Sequence, residues 1–484
     1  MAVQCRAVAA AATALALGAS AASAASWSAP QFPRSSGAAS PPSLAIAQPM
    51  ALAQSANGAA TLLYRGANRG IYAISRSKVS ARWGNAVTWL PAKRAKAGAA
   101  MDAVMSGSRV WAMWTQFGNK RLLTTTGTRA AGGKTPIRGT NLSSKGVPSV
   151  FEMYPAGSRA YYGLTVARTG AAYGGPVSVG RVPPYVSQEI VPATVGSAYG
   201  ANAAGQQVAL LFDGTSLSWS SRSSSSPWTV PSTEGITAQI AIGYAGTGSV
   251  PPSDIAIDED GNAAVAWVSY LDAQGAPAAP GGTPAAAGVL VSTRSGAGGA
   301  FGAPVVAGRL PVPTSSFLGG IAPKVSNLQV AMGGGSTAVS WMTMGDALGD
   351  GPPLLWASIG ATGGALPAPT QMPDPLGMQD ASYEGNSYAM SVNARGVVAI
   401  AFGWGMSQGQ MDGLFATTSA GPGKPWMPLK EVSRCAKRPQ GASSGYGDIQ
   451  LMPFTSGFTL AFTCNRSGSG SNTNPNGIGI TTYR

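Results

Sequence analysis

Apolar positions along this chain fall in short runs separated by Gly, Ser and Pro, which is the punctuation of strands and tight turns. One phrase returns eight times: a small residue, five β-rich positions, then a bulky residue. Gly261 to Trp267 is the clearest copy, and Gly335 to Trp341, Gly396 to Phe402 and Gly58 to Tyr64 keep its six-residue interval. Looser copies run from Ser108 to Trp114, Ser158 to Leu164, Gln206 to Phe212 and Ser456 to Phe462. After the bulky residue come a variable loop and a second run rich in small hydroxyl residues, as in 216–220, 288–293 and 413–418. A Gly/Ser turn follows, then an aromatic or bulky residue with Pro three positions on: Trp228 and Pro231, Phe301 and Pro304, Tyr173 and Pro176, Leu366 and Pro369. Trp426 with Pro428 is a near copy, Trp83 has the aromatic without the Pro, and Pro136 has the Pro without the aromatic. With the run before the small residue, each repeat predicts four strands. The Pro-bearing fourth belongs at a sheet edge, because Pro donates nothing to a ladder.

Self-similarity of this kind from one end of the chain to the other predicts a closed repeat architecture. The expected fold is all-β, an eight-bladed β-propeller. Seven blades is the alternative, because the second and third repeats are degenerate. The last repeat ends in Ile478 to Arg484 and lacks a fourth strand. Trp27-Ser28-Ala29-Pro30 is a fourth-strand phrase with no repeat before it. The expectation is that this N-terminal strand completes the C-terminal blade and protects edges that would otherwise invite aggregation.

Residues 1–24 read as a signal peptide: Met1 to Arg6 carries one positive charge, Ala7 to Leu17 is apolar, and Ala22-Ser23-Ala24 is a small-x-small cleavage site. Cys5 precedes the apolar stretch, which argues against a lipoprotein anchor. Residues 25–484 are then a single propeller domain, with no transmembrane segment. A monomer is expected, secreted, periplasmic or on the cell surface. Beyond the signal, Cys435 and Cys464 are the two remaining cysteines. An even count in an exported chain predicts one disulfide, with two buried thiols as the alternative.

With these phrases, residues 27–484 resemble bacterial secreted β-propeller proteins whose repeat reads G-N-A-x-V-A-W … G-x-W-x-x-P. The resemblance implies the fold and leaves the activity open, since propellers host unrelated functions. The turns after the hydroxyl-rich runs also lie where sialidases carry Asp-boxes, S-x-D-x-G-x-x-W. The matching stretches here are Ser292-Thr293-Arg294-Ser295-Gly296 and Ser221-Arg222-Ser223-Ser224-Ser225, and neither has the Asp.

The chain has no His, which removes Ser-His-Asp and Cys-His catalysis and His-ligated metals. No cofactor is expected. Carboxylate chemistry stays open, and a carboxylate-dependent glycosidase or lyase on a sialidase-like scaffold is the alternative function; it would need two acids roughly 5–10 Å apart. Glu189, Asp346, Asp350, Asp374, Asp380 and Glu384 fall in predicted loops. Asp258-Glu259-Asp260-Gly261-Asn262 is the densest acidic stretch, either a tight turn or a Ca²⁺ site.

Charge decides the favoured reading. Residues 65–181 hold 18 Lys or Arg against 2 acids, residues 182–429 hold 6 against 14, and residues 430–484 hold 6 against 2. In a ring the first and last of these segments are neighbours, so one side is basic and the other acidic, a field that steers charged partners. The connections between repeats on the basic side contain Arg34; Lys93, Arg94 and Lys96; Arg138 and Lys145; Arg181; and Lys437 and Arg438. They predict a binding face for an anionic partner: an acidic polysaccharide, a cell-envelope polymer or an acidic protein, with Arg supplying forked contacts to carboxylate or phosphate. Nucleic acid is not expected for an exported chain. Tyr270, Phe117 and Trp404 are candidate loop aromatics for stacking on a sugar, and 275–288 reads as a loop insertion.

Overall fold

The structure, a computed structural model, describes residues 25–34, 50–95, 97–106, 109–116, 122–126, 129–131, 138–142, 149–156, 159–166, 177–181, 198–202, 204–212, 217–223, 226–236, 252–278, 285–310, 325–343, 354–373, 381–382, 388–406, 413–434, 446–464 and 477–484. Their strands form eight antiparallel sheets in chain order. The first joins β1 (Met50–Gln54), β2 (Ala60–Arg65), β3 (Ile71–Arg76) and β4 (Val87–Leu90). After a single helical turn, α1 (Ala92–Ala95), the second has β5 (Ala97–Ser106), β6 (Arg109–Gln116), β7 (Leu122–Thr126) and β8 (Arg129–Ala131). The third has β9 (Arg138–Leu142), β10 (Ser149–Ala156), β11 (Arg159–Val166) and β12 (Val177–Arg181). The fourth has β13 (Ala198–Ala201), β14 (Gln207–Phe212) and β15 (Leu217–Arg222).

The fifth has β16 (Ser253–Ile257), β17 (Ala263–Leu271), β18 (Ala286–Arg294) and β19 (Val305–Leu310). The sixth has β20 (Val325–Gly333), β21 (Ser336–Thr343), β22 (Leu354–Ala361) and β23 (Thr370–Gln371). In the seventh, β24 (Ala381–Ser382) and β25 (Tyr388–Val392) both pair β26 (Val398–Met406), followed by β27 (Gly413–Ser419) and β28 (Lys430–Arg434). The eighth has β29 (Tyr446–Phe454), β30 (Gly457–Cys464) and β31 (Gly477–Tyr483). One strand of each sheet, β1, β5, β9, β13, β16, β20, β25 and β29, touches the next in that order, and β29 touches β1.

Side chains alternate across a strand with period two, and here both faces are covered. In β17, Ala263, Val265, Trp267 and Leu271 pack into the core shared with the fourth sheet, together with Val208, Leu210 and Trp219. Ala264, Ala266, Val268 and Tyr270 pack the other way, against Val330, Val339 and Trp341 of the sixth. Further cores lie between the sixth and seventh, seventh and eighth, eighth and first, and first and second sheets. A strand buried on both faces reads as a continuous apolar run, which is why the repeat phrase looks apolar throughout. Its bulky ends are core residues: Tyr64, Trp267, Trp341, Phe402 and Phe462 are all buried.

The small residue of the phrase makes the turn before the second strand. Gly58, Gly205, Gly261, Gly335 and Gly396 all have φ between 77° and 83°, where a Cβ is strained. A Cβ on Gly261 would also stand 2.3 Å from Gln206 Oε1 of the adjacent sheet's turn. The fourth repeat is therefore in frame at Gly205, one residue before the Gln206 expected from the sequence. Asp258 shapes its turn directly: its Oδ1 accepts from the backbone N–H of Asp260 and Asn262, and its Oδ2 from Asn262 Nδ2. Asn393 Oδ1 does the same for Arg395 and Val397. The acidic 258–260 stretch is thus a turn whose leading carboxylate is engaged by its own loop.

The aromatic phrase at the outer edge has a recurring clamp. The residue after the aromatic donates its N–H to the third strand, at Gly84 to Ser75, Thr229 to Ser221, Gly302 to Thr293 and Met427 to Thr418. Its carbonyl accepts a third-strand hydroxyl: Ser220 to Thr229 at 2.7 Å, Ser292 to Gly302 at 2.7 Å and Thr417 to Met427 at 2.6 Å. Ser28 makes the same pair with the eighth sheet, donating to the Thr482 carbonyl at 2.8 Å and accepting from Thr481 Oγ1 at 2.6 Å. Trp27 is buried there, 5.3 Å from the Tyr483 ring, and Gln31 exchanges backbone bonds with Ile480. One expectation is displaced: the regular fourth strands β19, β23 and β28 begin after Pro304, Pro369 and Pro428 rather than containing them, because a residue without an N–H leaves the ladder unpaired.

Trp267 is fully buried and its indole N–H has no partner. Trp267→Ala should lower the unfolding free energy by about 3–5 kcal/mol. Trp267→Phe, which removes the unpaired N–H and keeps a ring, should cost about 1 kcal/mol or less. Chemical denaturation of the three proteins measures both.

Candidate functional site

The strand register fixes which loops share an end of the sheets. Met50, the start of β1, pairs Tyr64 near the end of β2, and Ile71 at the start of β3 pairs both Arg65 and Leu90, the last residue of β4. In the fifth sheet Leu271 pairs Ala286, and Ala287 pairs Leu310. Connections between sheets and hairpins between second and third strands therefore emerge together. Turns between first and second strands, and between third and fourth, lie at the opposite end.

At this loop end of the first sheet, several cations border an ordered frame. The β2–β3 hairpin is closed by Gly66 N–H to the Gly70 carbonyl and Arg69 N–H to the Gly66 carbonyl, both 2.9 Å. Asn68 Oδ1 accepts from Gly70 N–H at 2.8 Å, and Asn68 Nδ2 donates to the Tyr72 hydroxyl at 3.0 Å. Arg69 is exposed and left-handed, with φ 66°. Arg65, half-buried at the end of β2, is held below the ordinary guanidinium pKa by burial first and by the charge of Arg69 second. α1 starts two residues after Leu90; its Ala95 is fully buried beside Ile71 and Leu90, while Lys93 is exposed.

Of the cations expected from the sequence, Lys93 and Arg94 lie on α1. Arg34 is exposed, and its carbonyl accepts Ala86 N–H at 3.1 Å. Arg138 and Arg181 were expected in connections, but they are the first residue of β9 and the last of β12, because the third sheet's ladders reach them. Lys96, Lys145, Lys437 and Arg438 lie outside the described residues. Arg65 and Arg69 were missed, although the sequence predicts a variable loop directly after the repeat's bulky Tyr64.

The aromatics change role. Tyr270 lies within β17 and is 7% exposed, so it packs between sheets instead of stacking on a ligand. Trp404 is in β26, paired with Gly413, not in a loop, because β26 extends to Met406. Phe117 lies outside the described residues, as do Glu189, Asp346, Asp350, Asp374, Asp380, Glu384 and Cys435; Cys464 ends β30. The expected 275–288 insertion is shorter, since β18 begins at Ala286. Among the described residues, no helix is long and apolar enough to cross a membrane.

Described polar groups on the acidic side tie sheets together. Asp254 Oδ2 accepts the Val330 N–H at 2.9 Å, and Gln329 bonds the Tyr388 carbonyl and the Met390 N–H. A register shift in β20 between Ser326 and Gln329 allows these side chains to stand in for a ladder. The Tyr388 hydroxyl donates to the Asn327 carbonyl and accepts from Ser340 Oγ. Burial pushes its pKa far above the ordinary phenol value, so it acts as a neutral donor.

At the opposite end, Arg76, Arg222 and Arg294 close their third strands, opposite Ala60, Gln207 and Ala263, the first residues of the second strands. Arg294 stands where an Asp-box has its Asp, and Arg222 one position before it. Each guanidinium lies over an aromatic ring of the next phrase: Trp83 at 4.8 Å, Trp228 at 5.1 Å and Phe301 at 5.6 Å. Arg76 also bridges the eighth sheet, donating to Thr482 Oγ1 at 2.7 Å and Thr459 Oγ1 at 2.5 Å, besides the Gly58 carbonyl at 2.9 Å. Arg294 is 2% exposed, its Nε and Nη1 have no partner, and burial lowers its pKa to about 10.

These two arginines should respond oppositely to Met. Arg294→Met removes a buried cation whose Nε and Nη1 lack hydrogen-bond partners and should stabilise by about 1–2 kcal/mol. Arg76→Met strands two hydroxyls and a carbonyl and should cost about 2–3 kcal/mol. Above pH about 10 folded Arg294 gives up its proton while the unfolded chain keeps it, so wild-type stability rises with pH there and the Met advantage shrinks. Denaturant titrations at pH 8 and pH 11 check the signs.

No family model matches the chain, and no curated protein does. Among solved structures, an ulvan lyase from polysaccharide lyase family PL25 is similar at 10% identity, covering 94% of this chain and 95% of its own, with a TM-score of 0.44. The fucose-specific lectin of Aleuria aurantia is similar at 12% identity, covering 83% and 100%, with a TM-score of 0.35. The AofleA protein of Arthrobotrys oligospora is similar at 11% identity, covering 80% and 86%, with a TM-score of 0.35.

Proposed function

We propose that the eight sheets are the blades of one exported, monomeric eight-bladed β-propeller, and that it binds an anionic polysaccharide or cell-envelope polymer through the basic side of its loop end. The cyclic order of first-strand contacts and the lie of residues 27–31 along β31 support the ring. The observation that carries the binding reading is the register. It gathers hairpins and inter-sheet connections at one end, where the first sheet places Arg65 and Arg69 and α1 adds Lys93 and Arg94, within a stretch, residues 65–181, that holds 18 Lys or Arg against 2 acids overall. An anionic chain laid across it would meet cations from several loops at once, with affinity that falls steeply as salt rises.

A variant with Lys93, Arg94, Lys96 and Arg138 changed to Ser should elute from an anionic polysaccharide column at markedly lower salt, with its unfolding transition unchanged. Equal elution would sink the binding reading. Cys435 and Cys464 form the proposed disulfide, closing a loop of about thirty residues worth roughly 3–4 kcal/mol. Unreduced peptide mapping of the exported protein should recover the linked pair, and recovery of two alkylated thiols would refute it.

A further inference from the structure

We propose that the turn end of the seventh, eighth and first sheets, opposite the loop end, is a docking face for an anionic lipid surface. The inference stands apart from the polymer reading and concerns the other end of these sheets.

The register places the cations. Arg395 lies in the turn between β25 and β26, where Val392 pairs Val398. Lys424 lies in the turn after Ser419, which pairs Val398 from the other side. Lys78 and Arg82 lie in the turn that follows Arg76, the last residue of β3. All four residues are exposed. This end of the three sheets is made by 25–28, 55–59, 77–86, 393–397, 420–429, 455–456 and Arg484, and no Asp or Glu is among them. The exposed acids Glu259 and Asp260 belong to the fifth sheet's turn.

Contacts tie these turns into one ordered face. A Cβ on Gly421 would stand 3.1 Å from the Gly396 carbonyl oxygen, so the two turns of the seventh sheet abut. Thr418 Oγ1 donates to the Tyr483 hydroxyl at 3.2 Å, joining the ends of the third strands of the seventh and eighth sheets. The Thr455 N–H and Oγ1 both donate to the Ala56 carbonyl, at 3.1 and 3.0 Å. Arg484 Nη2 donates to the Val79 carbonyl, inside the cationic turn of the first sheet.

The shape of this face and the neighbours of its cations select the partner. Its longest connections, 77–86 and 420–429, run ten residues each, and the turns between first and second strands are shorter. Short, mutually tied turns suit a plane of many singly charged head groups better than a single chain that must be wrapped. Each cationic turn also leads into an exposed apolar residue. Val87, 60% exposed, directly follows 77–86, and Met427, 57% exposed, follows Lys424 by three positions. Cations beside exposed apolar side chains match the boundary between head groups and acyl chains, whereas a polymer in water answers only the charges. Docked by this end, the protein points its loop end away from the lipid.

Co-sedimentation of the whole chain with phosphatidylcholine vesicles, with and without phosphatidylglycerol, tests this at about 0.1 M salt, where charges at the far end are screened. Binding should require the anionic lipid. Lys78→Ser/Arg82→Ser/Arg395→Ser/Lys424→Ser should lose about a hundredfold or more in vesicle affinity, since each cation near such a surface is worth about fivefold. The Ser variant of Lys93, Arg94, Lys96 and Arg138 removes as many cations elsewhere and should change vesicle affinity by less than about threefold. Val87→Ser/Met427→Ser should weaken vesicle binding at unchanged charge and leave retention on the anionic polysaccharide column as it was. Equal binding to both kinds of vesicle, or full vesicle affinity in the fourfold turn variant, overturns the proposal. So does a turn variant that loses polysaccharide retention and keeps vesicle binding, which makes this end a polymer face. If the fourfold change prevents folding, Lys78→Ser/Arg82→Ser and Arg395→Ser/Lys424→Ser should each lose about twentyfold. Polysaccharide retention of the loop-end variant is read separately, so either claim can fail alone.

Discussion

A sheet of three or four strands with apolar residues on both faces cannot cover itself. The first sheet and the fifth to eighth have that character, and each of these shares one core with the sheet before and another with the sheet after. In β17 the alternation is complete, with Trp267 facing one neighbour and Tyr270 the other. Stability is therefore held between sheets, and a sheet lacking a neighbour would expose a face of Val, Leu and aromatic side chains. The contact of β29 with β1, and the core of Met50, Leu62 and Ile74 with Ala461, Ile478 and Ile480, meet that demand for the eighth and first sheets.

Two polar devices finish what apolar burial leaves open. The outer phrase carries Pro and cannot build a full ladder, so third-strand hydroxyls at Ser220, Ser292 and Thr417 hold its carbonyls instead. The inner strands are stitched by Asp254, Gln329 and Tyr388 across a register shift. These groups are committed to the scaffold. The hairpins and connections at the loop end are less constrained, and there the chain places Arg65, Arg69 and Lys93.

The buried aromatic and the glycine turn were legible because each has a local cause, period-two burial for Trp267 and a positive φ for Gly261, while the strand order failed in the third sheet, where the Ser158 phrase lies on the third strand, β11. The role of Asp258 was legible as one of two alternatives, since Asp-Gly-Asn suits a turn and its acids also suit a metal. Other features required three dimensions. Tyr270 looked like a loop residue because nothing local marks where β17 stops. The pairing of Arg76 with Thr459 and Thr482 joins residues 383 and 406 positions apart. Arg65 and Arg69 were overlooked because the sequence marks connections between repeats more loudly than hairpins within one.

Hydrogen–deuterium exchange of the whole chain with and without cellulose sulfate tests most directly whether the loop end is where the protein works. The account predicts new protection at residues 66–70 and 91–95, with the opposite turns at 77–82 and 295–300 unchanged. Protection confined to those opposite turns, or to the acidic fifth to seventh sheets, would contradict it.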